Sequence, residues 1–185
     1  MWFGNLVTMK WWDGLWLNAS FANFISYLCM EEADIHYEEW GLGKDKLARS
    51  IFLVESFWGL EEDQNNTTHP IVVECRNTES AQDIFDGISY GKGAAWLNQA
   101  FKLFGGDVFK AGIKSYVSEH AFKNTELEDF TRHMSKAANA DKSQHGFDDD
   151  YFKHWSSTWL EKAGCNIIGH DVEVGEDGKI SKFTV

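Results

Sequence analysis

With 185 residues, 43% of them hydrophobic and 25% charged, and a single proline, the chain has the composition of one folded, helix-rich domain with a sizeable core. Its net charge of −12 and pI of about 4.9 exclude nucleic acid, whose binding rests on Lys and Arg contacts to phosphate, and argue against an anionic membrane surface. No apolar run approaches the ~20 residues of a membrane-spanning helix, no secretory leader is seen, and three widely spaced cysteines (Cys29, Cys75, Cys165) fit reduced thiols, so a cytoplasmic location is expected.

The first residues, to about position 16, read as an extended, aromatic-rich segment holding Trp2, Trp11, Trp12 and Trp16. The chain has nine tryptophans, and core packing by large rings is their plain reading. Leu17, Phe21, Phe24, Ile25 and Leu28 recur at helical spacing and predict a helix over about 15–33. Glu32 and His36, at i and i+4, with Glu38 and Glu39 following, echo a metal pair, but a solvated acidic helix face is favoured. Gly41-Leu42-Gly43-Lys44 is a loop without phosphate-loop spacing. A second amphipathic helix is predicted over about 47–62, with Phe52, Leu53, Phe57 and Leu60 facing the core. A polar turn over 65–70 ends it. Pro70 biases His69 to extended backbone, and His69 reads as a turn or packing residue rather than a catalyst. Ile71-Val72-Val73-Glu74-Cys75 reads as a strand-like piece.

A short helix follows over 80–87 and another over 89–104, stopped by Gly105-Gly106. Asp107 is placed to cap the next helix, to about position 122. Thr125-Glu126-Leu127-Glu128 has the form of a capping box opening a helix to about position 140. His145 and His154, with Asp148, Asp149 and Asp150 between, make a loose cluster whose favoured reading is an acidic helix N-terminus. A last helix spans about 148–163, closed by Gly164. The period then changes: residues 171–174 and 179–185 flank Asp177-Gly178, a hairpin signal. The expected fold is mainly α over residues 1–166, with a C-terminal β-hairpin over 167–185 that begins a β-sandwich domain.

The stretch Trp2-Phe3-Gly4-Asn5-Leu6-Val7-Thr8-Met9-Lys10-Trp11-Trp12-Asp13-Gly14-Leu15-Trp16-Leu17-Asn18-Ala19-Ser20-Phe21-Ala22 resembles the segment after the zinc motif in the M1 family of metalloaminopeptidases. There HExxH is followed, eighteen residues on, by a Glu inside N-E-G-F-A or N-E-S-F-A. The two His and that Glu hold the zinc, and the Glu of HExxH acts as general base. Here the matching residues are Asn18-Ala19-Ser20-Phe21-Ala22, so Ala19 occupies the zinc-ligand Glu position, and the spacing sets the second His one residue ahead of Met1. An alanine offers a metal no ligand atom. Loss of even an outer-shell partner costs a metal site ~10–100-fold in affinity.

Phe85-Asp86-Gly87-Ile88-Ser89-Tyr90-Gly91-Lys92-Gly93-Ala94 is similar to the family's F-D-x-I-S/T-Y-x-K-G-A. The resemblance implies for Tyr90 the role of a phenol that hydrogen-bonds the oxyanion of the tetrahedral intermediate, stabilising the transition state more than the substrate. Taken alone, Tyr90 would read as a half-buried packing residue with a hydrogen-bonded tip. The glycines flanking Lys92 allow close backbone approach. Ala121-Phe122-Lys123-Asn124-Thr125 resembles the family's H-x-F/Y-x-N-T/A turn, and Trp159-Leu160-Glu161-Lys162-Ala163-Gly164-Cys165-Asn166 its W-L-x-x-A/S-G-x-N domain end.

The resemblance implies the helical half of a thermolysin-like catalytic domain, in a family that removes N-terminal residues from peptides with zinc-activated water. These 185 residues hold neither HExxH nor the G-x-M-E-N segment whose Glu binds the substrate's free amine. Tyr90 is the one catalytic position expected, with no metal ligand, no zinc bound and no hydrolysis by the chain alone. The alternative is a non-catalytic pseudoenzyme serving as an interaction or structural subunit. On either reading an apolar face should stand open for the missing domains or a protein partner.

Overall fold

The first predicted helix forms where its apolar spacing sets it. The computed structural model describes residues 1–33, 46–140 and 149–185, and α1 runs Leu15–Glu32 out of a 3-10 turn at Trp12–Gly14. Trp16, Leu17, Phe21 and Phe24 line its buried face. Trp16 meets Trp96 edge-on at 5.7 Å, and Phe24 is ringed by Phe52, Phe101 and Phe109 at 6.3, 5.8 and 5.9 Å. Full burial of such side chains is worth roughly 1.5–3 kcal/mol each, and Trp16, Trp96, Phe24 and Phe109 are all buried in the core. The remaining helices are α2 (Lys46–Glu62), α3 (Thr78–Asp83), α4 (Gly93–Phe104), α5 (Gly106–His120), α6 (Leu127–Ala140) and α7 (Asp149–Leu160). A π-helical turn, Ile88–Lys92, leads directly into α4.

Among the described residues, two small sheets accompany the helices. β1 (Val7–Met9) pairs in parallel with β2 (Lys123–Thr125), in the register Val7↔Lys123, Thr8↔Asn124 and Met9↔Thr125. The aromatic-rich first segment is therefore tied to the far end of α5, and Lys10 N–H extends the ladder to the Thr125 carbonyl at 2.9 Å. β3 (Asp171–Val174) and β4 (Ile180–Thr184) form the expected antiparallel hairpin, with Gly178 at φ 75° in the turn. Every residue of both strands is exposed.

Several expectations are corrected. Residues 71–75 form no strand: Ile71 is buried, Val72 N–H donates to the Leu160 carbonyl, and the Cys75 carbonyl takes the Trp11 indole N–H. The run pairs with no strand among the described residues, and Ile71 and Cys75 are buried instead. The helix expected over 89–104 opens with the π turn. Gly105, not Asp107, is the N-cap of α5, and no side chain caps it. The capping box at Thr125 does not form. Thr125 is buried, with its hydroxyl bonded to Tyr116 at 2.7 Å, and the reach-back runs instead from Asp129 Oδ2 to Glu126 N–H at 3.1 Å.

The largest correction concerns α2. Leu53, Phe57 and Leu60 were expected in the core, but with Val54 and Trp58 they are exposed, and Phe52 is only partly buried. Gly59 is instead the buried residue that meets the π turn. His36, Glu38, Glu39, the loop at 41–44, His145 and Asp148 lie outside the described residues.

Candidate active-site surface

The π turn is fixed from both ends. Asp86 Oδ1 accepts Ile88 N–H and Ser89 N–H, each at 3.0 Å, which satisfies two donors at the start of the turn. Asp86 Oδ2 meets His69 Nε2 at 2.7 Å, and His69 Nδ1 lies 2.7 Å from the Pro70 carbonyl. His69 thus holds the start of the turn through Asp86, in keeping with its reading as a turn residue. At the other end, Lys92 Nζ meets Asp63 Oδ2 at 2.7 Å and donates to the Gly164 carbonyl at 3.1 Å. Asp63 also accepts Gly164 N–H at 2.9 Å and the Thr68 hydroxyl at 2.7 Å. Burial works to raise the Asp63 pKa, but the bonds from Lys92, Thr68 and Gly164 outweigh it and hold the carboxyl below its ordinary value.

Glycines let the neighbouring backbones close in. A Cβ on Gly91 would stand 2.2 Å from the Glu55 carbonyl oxygen of α2, and one on Gly59 would stand 2.5 Å from Lys92 N. On the opposite side, a Cβ on Gly93 would stand 1.9 Å from Ser20 Oγ. The Ser20 hydroxyl donates to the Ser89 carbonyl at 2.6 Å, with Ser20 fully buried.

Tyr90 sits in the middle of this pinned turn. Its ring rests on Trp58 (centroids 6.3 Å, planes 26° apart) and against Phe85 (6.2 Å, 42°). It is half-buried, and its backbone N–H donates to the Asp86 carbonyl at 3.0 Å. Ala19, 8% exposed on α1, directly precedes the serine that bonds the residue before Tyr90. The two separated sequence motifs therefore meet in one place through the Ser20–Ser89 bond. The family model for the peptidase family M1 domain matches residues 1–155.

The chain belongs to peptidase family M1.

This M1 chain is 35% identical to aminopeptidase N of Streptomyces lividans over 185 residues, which is 100% of this chain and 20% of that protein. It is 35% identical to the tricorn protease-interacting factor F2 of Thermoplasma volcanium over 183 residues, 99% of this chain and 21% of that protein. Against the probable aminopeptidase 1 of Saccharolobus solfataricus it is 40% identical over 167 residues, 90% of this chain and 19% of that protein. The chain spans about a fifth of the length of these relatives.

The residues around Ala19 do not fit the zinc of the M1 family. Ala19 presents a methyl group, and the Ser20 hydroxyl is already committed to Ser89. Asn18 Oδ1 is a buried oxygen without a hydrogen-bond partner, but a single neutral amide oxygen does not make a three-ligand site. Among the described residues, the group of metal-ligating side chains that comes together is Glu119, His120 and His133, on α5 and α6. Sequence reasoning missed that group and the Asp63–Lys92 pair, because neither is local in sequence.

Proposed function

We propose that this M1 chain is the helical portion of an aminopeptidase-type catalytic domain, over residues 1–166, with 167–185 opening a β domain. In this reading Tyr90 is the phenol that meets the oxyanion when an N-terminal residue is cleaved from a peptide. With Ala19 in the ligand position, the chain does not itself bind the family's zinc or hydrolyse peptides. The observation that carries the reading is the Ser20–Ser89 hydrogen bond at 2.6 Å, which sets the Ala19 motif against the Tyr90 turn. A donor preorganised by a pinned backbone costs no reorganisation when charge develops, which is what oxyanion stabilisation requires.

A second reading is a non-catalytic subunit whose exposed α2 face is covered by a protein partner or by the HExxH-bearing part of a catalytic domain. Ala19 together with the exposed Leu53, Val54, Phe57 and Trp58 favours it. Three free thiols, Cys29, Cys75 and Cys165, fit a reducing, cytoplasmic setting. Turnover of fluorogenic aminoacyl substrates by the purified chain with added Zn²⁺ tests the primary reading. No hydrolysis is expected from the chain or from Tyr90→Phe. Turnover that Tyr90→Phe abolishes would confirm the tyrosine's role and refute the inactivity.

A further inference from the structure

The end of α5 and the middle of α6 bring Glu119, His120 and His133 together, with their ligand atoms all within 4.8 Å of one another. His133 is 2% exposed. Its Nδ1 meets the Ser115 hydroxyl at 2.9 Å, while its buried Nε2 has no hydrogen-bond partner and lies 3.5 Å from Glu119 Oε2. A buried ring nitrogen left without a partner is uncommon in a native fold and calls for a use. His120, 8% exposed, turns its Nε2 to the same point, 3.9 Å from Glu119 Oε1 and 4.0 Å from Asp129 Oδ1. Arg132 reaches over both. Its Nη2 lies 3.5 Å from His120 Nε2 and 3.0 Å from Asp129 Oδ1, and its Nη1 lies 3.5 Å from Glu119 Oε1.

We infer that Glu119, His120 and His133 form a binding site for a divalent transition ion of the zinc class, clasping the end of α5 to α6. Two imidazoles and one carboxylate suit such an ion and do not suit Ca²⁺ or Mg²⁺, which take oxygen ligands. The Ser115 hydroxyl can accept His133 Nδ1–H, which leaves the Nε2 lone pair for the ion; a ligating His commonly gives its other N–H to such a partner.

A tetrahedral ion with bonds of ~2.0–2.1 Å needs ligand atoms ~3.3 Å apart. The 3.5 Å between His133 and Glu119 is close to that spacing, and Glu119, with 49% of its side chain exposed, can turn to close the 3.9 Å to His120. Arg132 is the cation the cluster holds now. With half its side chain in solvent, it can swing out, leaving the Asp129 carboxylate or a water to complete the shell.

Titration of the native chain with Co²⁺ reads the site directly. Visible bands of a four-coordinate, imidazole-ligated ion are expected to saturate at one per chain, and Zn²⁺ should raise Tm in a concentration-dependent way. Glu119→Gln, on the exposed rim, should weaken Co²⁺ binding by more than ~10–100-fold, the scale of an outer-shell loss. Arg132→Gln removes the competing cation and should tighten binding. His133→Gln should abolish it, and the other two variants carry the test if that one fails to fold. Absence of the bands from both the native chain and Arg132→Gln overturns the inference. Binding unchanged in Glu119→Gln would also overturn it, by placing the ion elsewhere.

Discussion

Asp63 and Lys92 keep only 2% and 17% of their side chains exposed, so the 2.7 Å pair between them has given up most of its water. Such a pair adds little over an apolar replacement, but losing one partner strands the other. Asp63→Asn leaves the Lys92 charge buried, and a loss of about 3 kcal/mol at neutral pH is expected by urea denaturation. The folded pKa of Asp63 is depressed. Its stabilisation is therefore complete above the unfolded carboxylate value of about 3.9 and is lost as pH falls through the lower, folded value. The stability gap between native chain and variant should narrow as pH falls into the acid range, and a gap constant with pH would show that Asp63 acts only by shape. Tyr116 offers a second test. Burial, against the Thr125 bond, pushes its phenol up to about 12, so it stays a neutral phenol hydrogen-bonded to the Thr125 hydroxyl. Tyr116→Phe should cost about 1 kcal/mol, the worth of one buried hydrogen bond, also read by urea denaturation.

At the scale of elements, α2 and the π turn meet backbone to backbone. A methyl at Gly91 would lie 2.2 Å from the Glu55 carbonyl oxygen, and no flexible side chain is there to give way. Gly91→Ala should therefore cost about 3 kcal/mol, the upper end for overpacking. Gly169→Ala meets nothing within 4 Å and should stay within about 0.5 kcal/mol of the native chain in the same denaturation assay. The same contact explains what sequence could and could not reveal. α1 and the hairpin were legible because a periodic apolar run and an Asp-Gly turn are local signals. Ala19 and Tyr90 were legible as motif positions, though not the Ser20–Ser89 bond that joins them. The apolar stripe of α2 says which residues favour burial, but not what covers them. Close approach through Gly59 turned the stripe outward. His120 and His133 lie thirteen positions apart, and only the packing of α6 along α5 makes them neighbours.

For the whole molecule, the apolar α2 face and the hairpin are the two most solvent-exposed parts among the described residues. A two-stranded hairpin adds little stability by itself. Residues 1–166 should accordingly melt within a few degrees of the full chain by circular dichroism, and a large drop would show that 167–185 belongs to the helical unit. The central proposal is that Ala19 leaves this M1 chain unable to hold the family's zinc beside the Tyr90 turn. An anomalous difference map at the zinc edge, from crystals of the chain grown with Zn²⁺, tests it most directly. Expected is a peak between α5 and α6 at Glu119, His120 and His133, and none beside Ala19 and Tyr90. Zinc held beside Ala19 would contradict the claim.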